Sequence, residues 1–204
     1  MDKINDIHTF WFHGISDATL IKKDEMPFKK WFGKDSRTDE EIKNHFEATL
    51  LKAAEGGCGD WERTQAGTLA LILLFDQFSR NIYRNAPKMF AFDKQALSLT
   101  QEMIEEGKDK DMLLIERVFL YLPLEHCEEI AFQEVSLQKF ASLAEESKQA
   151  NPANTAYYAY TFNYAQRHYD IIKRFGRFPH RNRILGRIST KDEEDFLKQP
   201  GSGF

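Results

Sequence analysis

The run Leu69-Ala-Leu-Ile-Leu-Leu-Phe75 has no polar face, and the sequence from about Glu62 to Gln77 is apolar nearly all round. A helix with that pattern must be enclosed on every side, so it fixes a central position that the rest of the chain has to wrap. The run is far shorter than the roughly 20 residues of a membrane span. It leads straight into Asp76-Gln-Phe-Ser-Arg-Asn-Ile-Tyr-Arg84. An aspartate placed between Phe75 and Phe78 is expected to be at least partly buried. A buried carboxylate needs a partner, and Arg80, one helical turn on, is the local candidate.

Shorter amphipathic segments supply the wrapping. Ile4, Ile7, Phe10 and Trp11 mark a helix over residues 3–13 that Gly14 can end. Pro27, Phe28, Trp31 and Phe32 fall in a loop and are read as aromatic seals on the core edge. Thr38-Asp-Glu-Glu41 has the form of a capping box, followed by the stripe Ile42, Phe46, Leu50, Ala53 and a stop at Gly56-Gly57. Pro87 suits the first turn of a helix running to Glu106. Met112 to Leu122 forms another, closed by Pro123. Leu124 to Lys148 is long and amphipathic, with Cys127, Ile130, Leu137, Ala141 and Ala144 on one side. A helix restarting at Asn151-Pro152 carries Tyr158, Phe162, Ala165, Tyr169 and Ile172. Thr190-Lys-Asp-Glu193 is a second capping box, for a last helix through Leu197.

No segment alternates apolar and polar residues for long enough to form a strand. The fold expected is all-α, built of antiparallel helical pairs in a single domain over residues 1–204. Helical-repeat proteins use pairs of this length, but no consensus repeat of fixed period is present.

Between Asp170 and Asp192 there is no acidic residue, while Lys173, Arg174, Arg177, Arg181, Arg183, Arg187 and Lys191 all lie there. The whole chain has a net charge of -4, so the cationic segment is a local inversion. Overall acidity argues against a nucleic-acid binder, and no stretch suits a membrane. The N-terminus shows no signal-peptide pattern. Cys58 and Cys127 cannot build a disulfide scaffold, so a reducing cytoplasm is the default.

Three clusters hold the unusual polar residues. The first, Asp76 to Arg84, also reads as a plain helix terminus with cations near the negative dipole end. The second is Pro123-Leu-Glu-His-Cys-Glu-Glu129, where a helix N-terminus would explain the glutamates and keep His126 neutral. The third joins Arg167-His168-Tyr169-Asp170 to the cationic stretch from Phe175 to Arg187. His168 sits one step off its apolar stripe and is read as a pocket-rim residue, and Asp170 with Arg174 reads as a solvated ion pair. No His-Glu-x-x-His and no adjacent His-Asp pair occurs, so no metal ligand is assigned. Phe78-Ser-Arg-Asn81 and Phe178-Pro-His-Arg-Asn182 echo each other, which coincidence would explain.

These motifs carry a family resemblance. Asp76 to Asn81 is similar to Asp-Gln-Phe-Pro-Arg-Asn, with Ser79 for proline. Pro123 to Glu128 is similar to Pro-Leu-Glu-His-Ser-Glu, with Cys127 for serine. Arg167, His168, Phe175 to Asn182 and Leu185 to Thr190 match a third motif, with Ile188 where an acidic residue is common. The chain resembles the bacterial domain of unknown function family 924. That resemblance implies a tetratricopeptide-like helical superhelix and implies that the clusters matter together. It supplies no reaction.

Two functional expectations follow. In one, Arg80, Arg84, His126, Glu128, Arg177, His180, Arg181 and Asn182 line a pocket for a small anionic ligand. Asp76, Asn81 and His168 contribute to binding, and His126, Glu128 and His180 are the candidate acid–base groups. In the other, the basic segment forms a groove for an acidic or C-terminal peptide, without catalysis. A third reading is structural: arginines and carboxylates satisfying one another in a polar core. The sequence points to no cofactor.

Overall fold

The computed structural model describes residues 3–23 and 25–203. Among these residues every regular element is helical. In chain order they are α1 (Lys3–Phe12), α2 (Phe28–Phe32), α3 (Ser36–Ala54), α4 (Gln65–Ile72), a π-helical turn (Leu73–Phe78), α5 (Ser79–Ile82), α6 (Asp93–Glu105), α7 (Leu114–His126), α8 (Ile130–Ala150), α9 (Thr155–Phe175), α10 (Asn182–Leu185) and α11 (Lys191–Leu197). Short 3-10 turns fill several connections.

The apolar run forms α4 and lies at the centre, with Leu69 through Leu74 essentially sealed from solvent. Thr64 caps it, its hydroxyl accepting from the Gly67 N–H at 3.0 Å. The helix then widens. The Ser79 N–H reaches back to the Leu74 carbonyl, five residues earlier, which is the spacing of a π turn. Because the wide turn slows the rotation of side chains around the axis, all six residues Leu73–Phe78 are buried, including Asp76 and Gln77. Ser79 takes part in the exit from this turn, its hydroxyl donating to the carbonyls of Phe75 (2.6 Å) and Met89 (3.2 Å).

Helices α3, α1, α6 and α7 enclose α4 and the π turn, and α7, α8 and α9 stack beside them. The four-residue link between α8 and α9 makes them an antiparallel pair packed along their length. One apolar cluster runs from Ile7 to Ala165, with a satellite of Ile171, Ile172 and Phe178 under the final segment. Phe28 and Trp31 are buried in the main cluster, and the Trp31 indole donates to the Trp11 carbonyl at 2.9 Å.

Four sequence expectations are corrected. The cap of α3 is Asp35, whose carboxylate accepts from the Thr38 N–H and hydroxyl; it competes successfully with the Thr38–Glu41 box because it sits one turn earlier. Pro123 does not close α7 but lies inside it. Proline removes the donor for the Phe119 carbonyl and crowds it, and the surrounding packing holds the helix through this point, with the next carbonyl, Leu120, accepting from the Thr100 hydroxyl at 2.9 Å. His126 is therefore in the last turn of α7, not at a helix N-terminus. Finally, the buried faces of α8 and α9 are rotated from the apolar stripes, because polar residues with internal partners share them. On α8 the buried positions are Gln133, Ser136, Phe140, Leu143 and Ser147. On α9 they include Tyr158, Thr161, Ala165, His168 and Ile172.

Candidate functional site

Asp76 is the point where the buried helix meets the polar cluster. It is fully buried, and its carboxylate receives three side chains: His126 Nδ1 at 2.7 Å and Arg80 Nη1 at 3.2 Å on Oδ1, and Gln77 Nε2 at 2.6 Å on Oδ2. Burial alone would raise its pKa. Arg80, His126 and Gln77 outweigh that and hold the carboxyl below its ordinary range. Arg80 also donates to the Asp76 carbonyl (2.7 Å) and makes a bidentate pair with Asp93 at 2.9 and 3.1 Å.

With Asp76 ionised, His126 donates its Nδ1–H to it, which leaves the lone pair on Nε2. Burial is the main influence on His126 and lowers its pKa, with Asp76 opposing. The imidazole is therefore neutral near pH 7, but because it is desolvated, not because of a helix N-terminus. Behind it lie Glu125 and His168, both about 3% exposed. Glu125 Oε1 is 3.1 Å from His168 Nδ1, which also donates to the Tyr164 carbonyl at 2.9 Å. Burial, with repulsion from Asp76, raises the Glu125 carboxyl well above its ordinary value. Burial, with the neighbouring His126, lowers His168 well below its own. Both shifts favour the uncharged forms, a protonated acid against a neutral imidazole. His168 lies in the core and not at a pocket rim.

The final segment folds over this cluster. Phe178 is fully buried, with its ring 5.4 Å from His168 and 5.5 Å from His180. Arg181 lies between Phe178 and Phe90, its guanidinium carbon 4.5 and 4.7 Å from the two ring centroids. It donates from Nη2 to the His126 carbonyl at 3.0 Å, and its nearest carboxylate oxygen, on Asp93, is 3.7 Å away. Burial and the proximity of Arg80 lower its pKa to about 10, and burial with Arg181 brings His180 to about 4. Arg80 and Arg181, the matching arginines of the two echoed motifs, thus meet at one aspartate.

The other predicted site residues build the support. Glu128 accepts from the Phe178 N–H at 2.8 Å and from Arg187 at 2.7 and 2.9 Å. Arg177 is bidentate to Glu193 (2.6 and 2.8 Å), and Asn182 donates to Ser189 and Glu193. Asn81 and Arg84 turn away from the cluster, both onto Asp39 of α3. Arg174 pairs with Asp192 at 2.6 Å, while Asp170 accepts from Gln166 instead of the expected Arg174. Two residues escaped the sequence reading as site members. Asp93 joins Arg80 to Arg181. Gln133, fully buried on α8, points its amide at the carbonyls of Leu124, Glu125 and Cys127 (3.3, 2.7 and 2.6 Å), closing the end of α7 that carries the site. Nothing in an isolated Gln133 signals this, since its partners lie across a helix break.

The clustered motifs are those of a known family. The sequence profile described as a bacterial protein of unknown function, DUF924, matches residues 7–201. The chain belongs to this family. No curated protein matches it. A solved structure of a protein of unknown function from Agrobacterium tumefaciens, ATU0120, is 33% identical with a TM-score of 0.78, covering 96% of this chain and 97% of that one.

Within this DUF924 chain, one side of the cluster is open to solvent. His126, Cys127, Arg80, Asp93, Phe90 and His180 are half-buried, whereas Glu125, His168 and Arg181 lie beneath. Burial also raises the Cys127 thiol, so it is not an activated thiolate. A surface cleft of about 370 Å³ lies elsewhere, lined by Asp109, Lys110, Arg117, Lys139, Ser142 and Glu146. Among the described residues, no helix is long and apolar enough to cross a membrane.

Proposed function

We propose that the cluster around Asp76, His126 and Arg181 binds a small anionic ligand and moves a proton on it. The observation that carries this is Arg181. The residue is 6% exposed, its nearest carboxylate oxygen is 3.7 Å away, and its Nε is buried without a hydrogen-bond partner among the described residues. A buried cation left short of counter-charge favours an incoming anion. Arg84, Arg177 and Arg187, by contrast, are each bidentate to a carboxylate already. Those are the arginines a basic groove for an acidic peptide would need, so the small-ligand reading is the better supported.

Asp76 and His126 supply the proton chemistry. A buried carboxylate on Nδ1 fixes the imidazole tautomer and stabilises the imidazolium that forms when Nε2 takes a proton, the same division of labour as in an Asp–His catalytic pair. Half-buried His126 is the group a ligand seated on Arg181 would meet. We assign this chemistry to the cytoplasm, in keeping with two free cysteines.

The test is thermal stability of the wild type, Arg181→Lys and His126→Asn across phosphate, nucleotides and dicarboxylates. An anion at 100 times its Kd stabilises by about 2.7 kcal/mol. The wild type and His126→Asn are expected to shift, and Arg181→Lys to lose the shift. If no anion stabilises the wild type, the reading fails.

A further inference from the structure

We propose that Glu125, His126 and His168 form a binding site for one divalent transition ion. Each residue offers one ligand atom, and the three atoms lie within 4.8 Å of one another. The Glu125 carboxylate already touches the His168 ring, its Oε1 3.1 Å from Nδ1, while the lone pair for an ion is on Nε2. Ligand atoms at zinc distances of about 2.0–2.1 Å stand ~3.4 Å apart in a tetrahedron, so closing around an ion takes side-chain shifts on the order of 1 Å.

The surroundings match what metal-bound histidines require. Such histidines give their second ring N–H to a carboxylate or backbone carbonyl, which sets the tautomer and aims the lone pair. Here His126 gives Nδ1–H to Asp76, and His168 gives Nδ1–H to the Tyr164 carbonyl. Asp76 is in turn fixed by Arg80 and Gln77, so the orienting shell is itself rigid. Glu125, 3% exposed with its Oε1 3.1 Å from the His168 ring, supplies the negative ligand by giving up its proton when the ion binds. Two imidazoles and one carboxylate favour zinc, cobalt or ferrous iron over magnesium and calcium, which take oxygen. Three protein ligands leave a coordination position open, as sites that handle substrate do. Half-buried His126 marks the side from which the ion would enter.

The site takes the same His126 Nε2 lone pair that the proposed function uses for its proton, so ion and proton compete there, and binding of the ion does not depend on that reading. The protein is stripped with chelator and titrated with Zn²⁺ by calorimetry, and with Co²⁺ by visible absorption. One equivalent of each is expected, with the intense d–d bands of four- or five-coordinate cobalt. Glu125→Gln and His168→Asn should each weaken binding at least 10-fold, and Asp76→Asn by 10- to 100-fold. Should those variants not fold, zinc-edge X-ray absorption of the wild type decides, with two imidazole ligands expected. Absence of a stoichiometric ion, or fewer than two imidazoles, overturns the site. Anion shifts measured in chelator separate the two ideas: a metal-free protein that still responds through Arg181 sinks only the metal, and a metal-binding protein with no anion response sinks only the proposed function.

Discussion

Asp76 illustrates how much a single position can demand. Its carboxylate is inside the protein only because three donors meet it there, and burial of an ion succeeds when its lone pairs are filled. Asp76→Ala leaves Arg80 and His126 facing a gap and is expected to lower unfolding free energy by about 3–5 kcal/mol, the usual cost of breaking one side of a buried pair. Urea denaturation with an unchanged m-value would show it. Asp76→Asn keeps the shape but accepts less strongly, so its stability loss should be smaller while His126 loses its fixed tautomer. Half of this arrangement is readable in the sequence. An acid set against an all-apolar run must be buried, and Arg80 is one turn away. The other half, His126, is 50 residues distant and no local pattern points to it.

At the scale of elements, the ends of helices carry the site, and ends are where sequence reading is weakest. Pro123 reads as a stop, yet α7 continues through it to His126; helix geometry tolerates one missing donor when the neighbouring turn is packed. Past His126 the backbone turns extended at Cys127, and Gln133 reaches back from α8 to the carbonyls exposed there. Gln133→Ala should strip a partner from the carbonyls of Glu125 and Cys127, while Leu124 keeps the Cys127 N–H, and cost about 2–3 kcal/mol. Faster amide exchange near His126, with α3 unchanged, would localise the effect. The cap of α11, by contrast, was legible: Thr190 and Glu193 make the reciprocal box that their spacing predicts. Glu193 also holds Arg177, whose hydrogen bonds are the largest influence lowering its pKa, from 4.5 to about 2. A depressed carboxyl contributes stability above its unfolded pKa and loses it as pH falls through the folded one. Stability should therefore decline between about pH 4.5 and 2 by more in the wild type than in Glu193→Gln, as Tm measured against pH would reveal.

At the scale of the molecule, the final segment is a clamp that joins helices far apart in sequence. Glu128, just past α7, is tied to Phe178 and Arg187 across 50 and 59 residues. The all-α class followed from periodicity alone, because each helix advertises its own apolar face. Convergence did not, because a contact between distant residues leaves no local spacing to read. The acid-free run carries no counter-charge of its own, and Arg177, Arg187 and Arg174 take carboxylates from α11 and the α7–α8 link, while Arg181 is left short of one. If the clamp works as a unit, its ion pair and its apolar anchor must be coupled. Phe178→Ala alone should cost about 3–5 kcal/mol, as for other buried phenylalanines. Arg187→Met should be milder, since Glu128 keeps the Phe178 N–H. In the double variant the losses should sum to less than the two singles, by about 0.5–3 kcal/mol, because once Phe178 no longer seats the segment Arg187 has lost its position over Glu128. Simple additivity in a denaturation cycle would mean instead that Phe178 and Arg187 hold the segment independently.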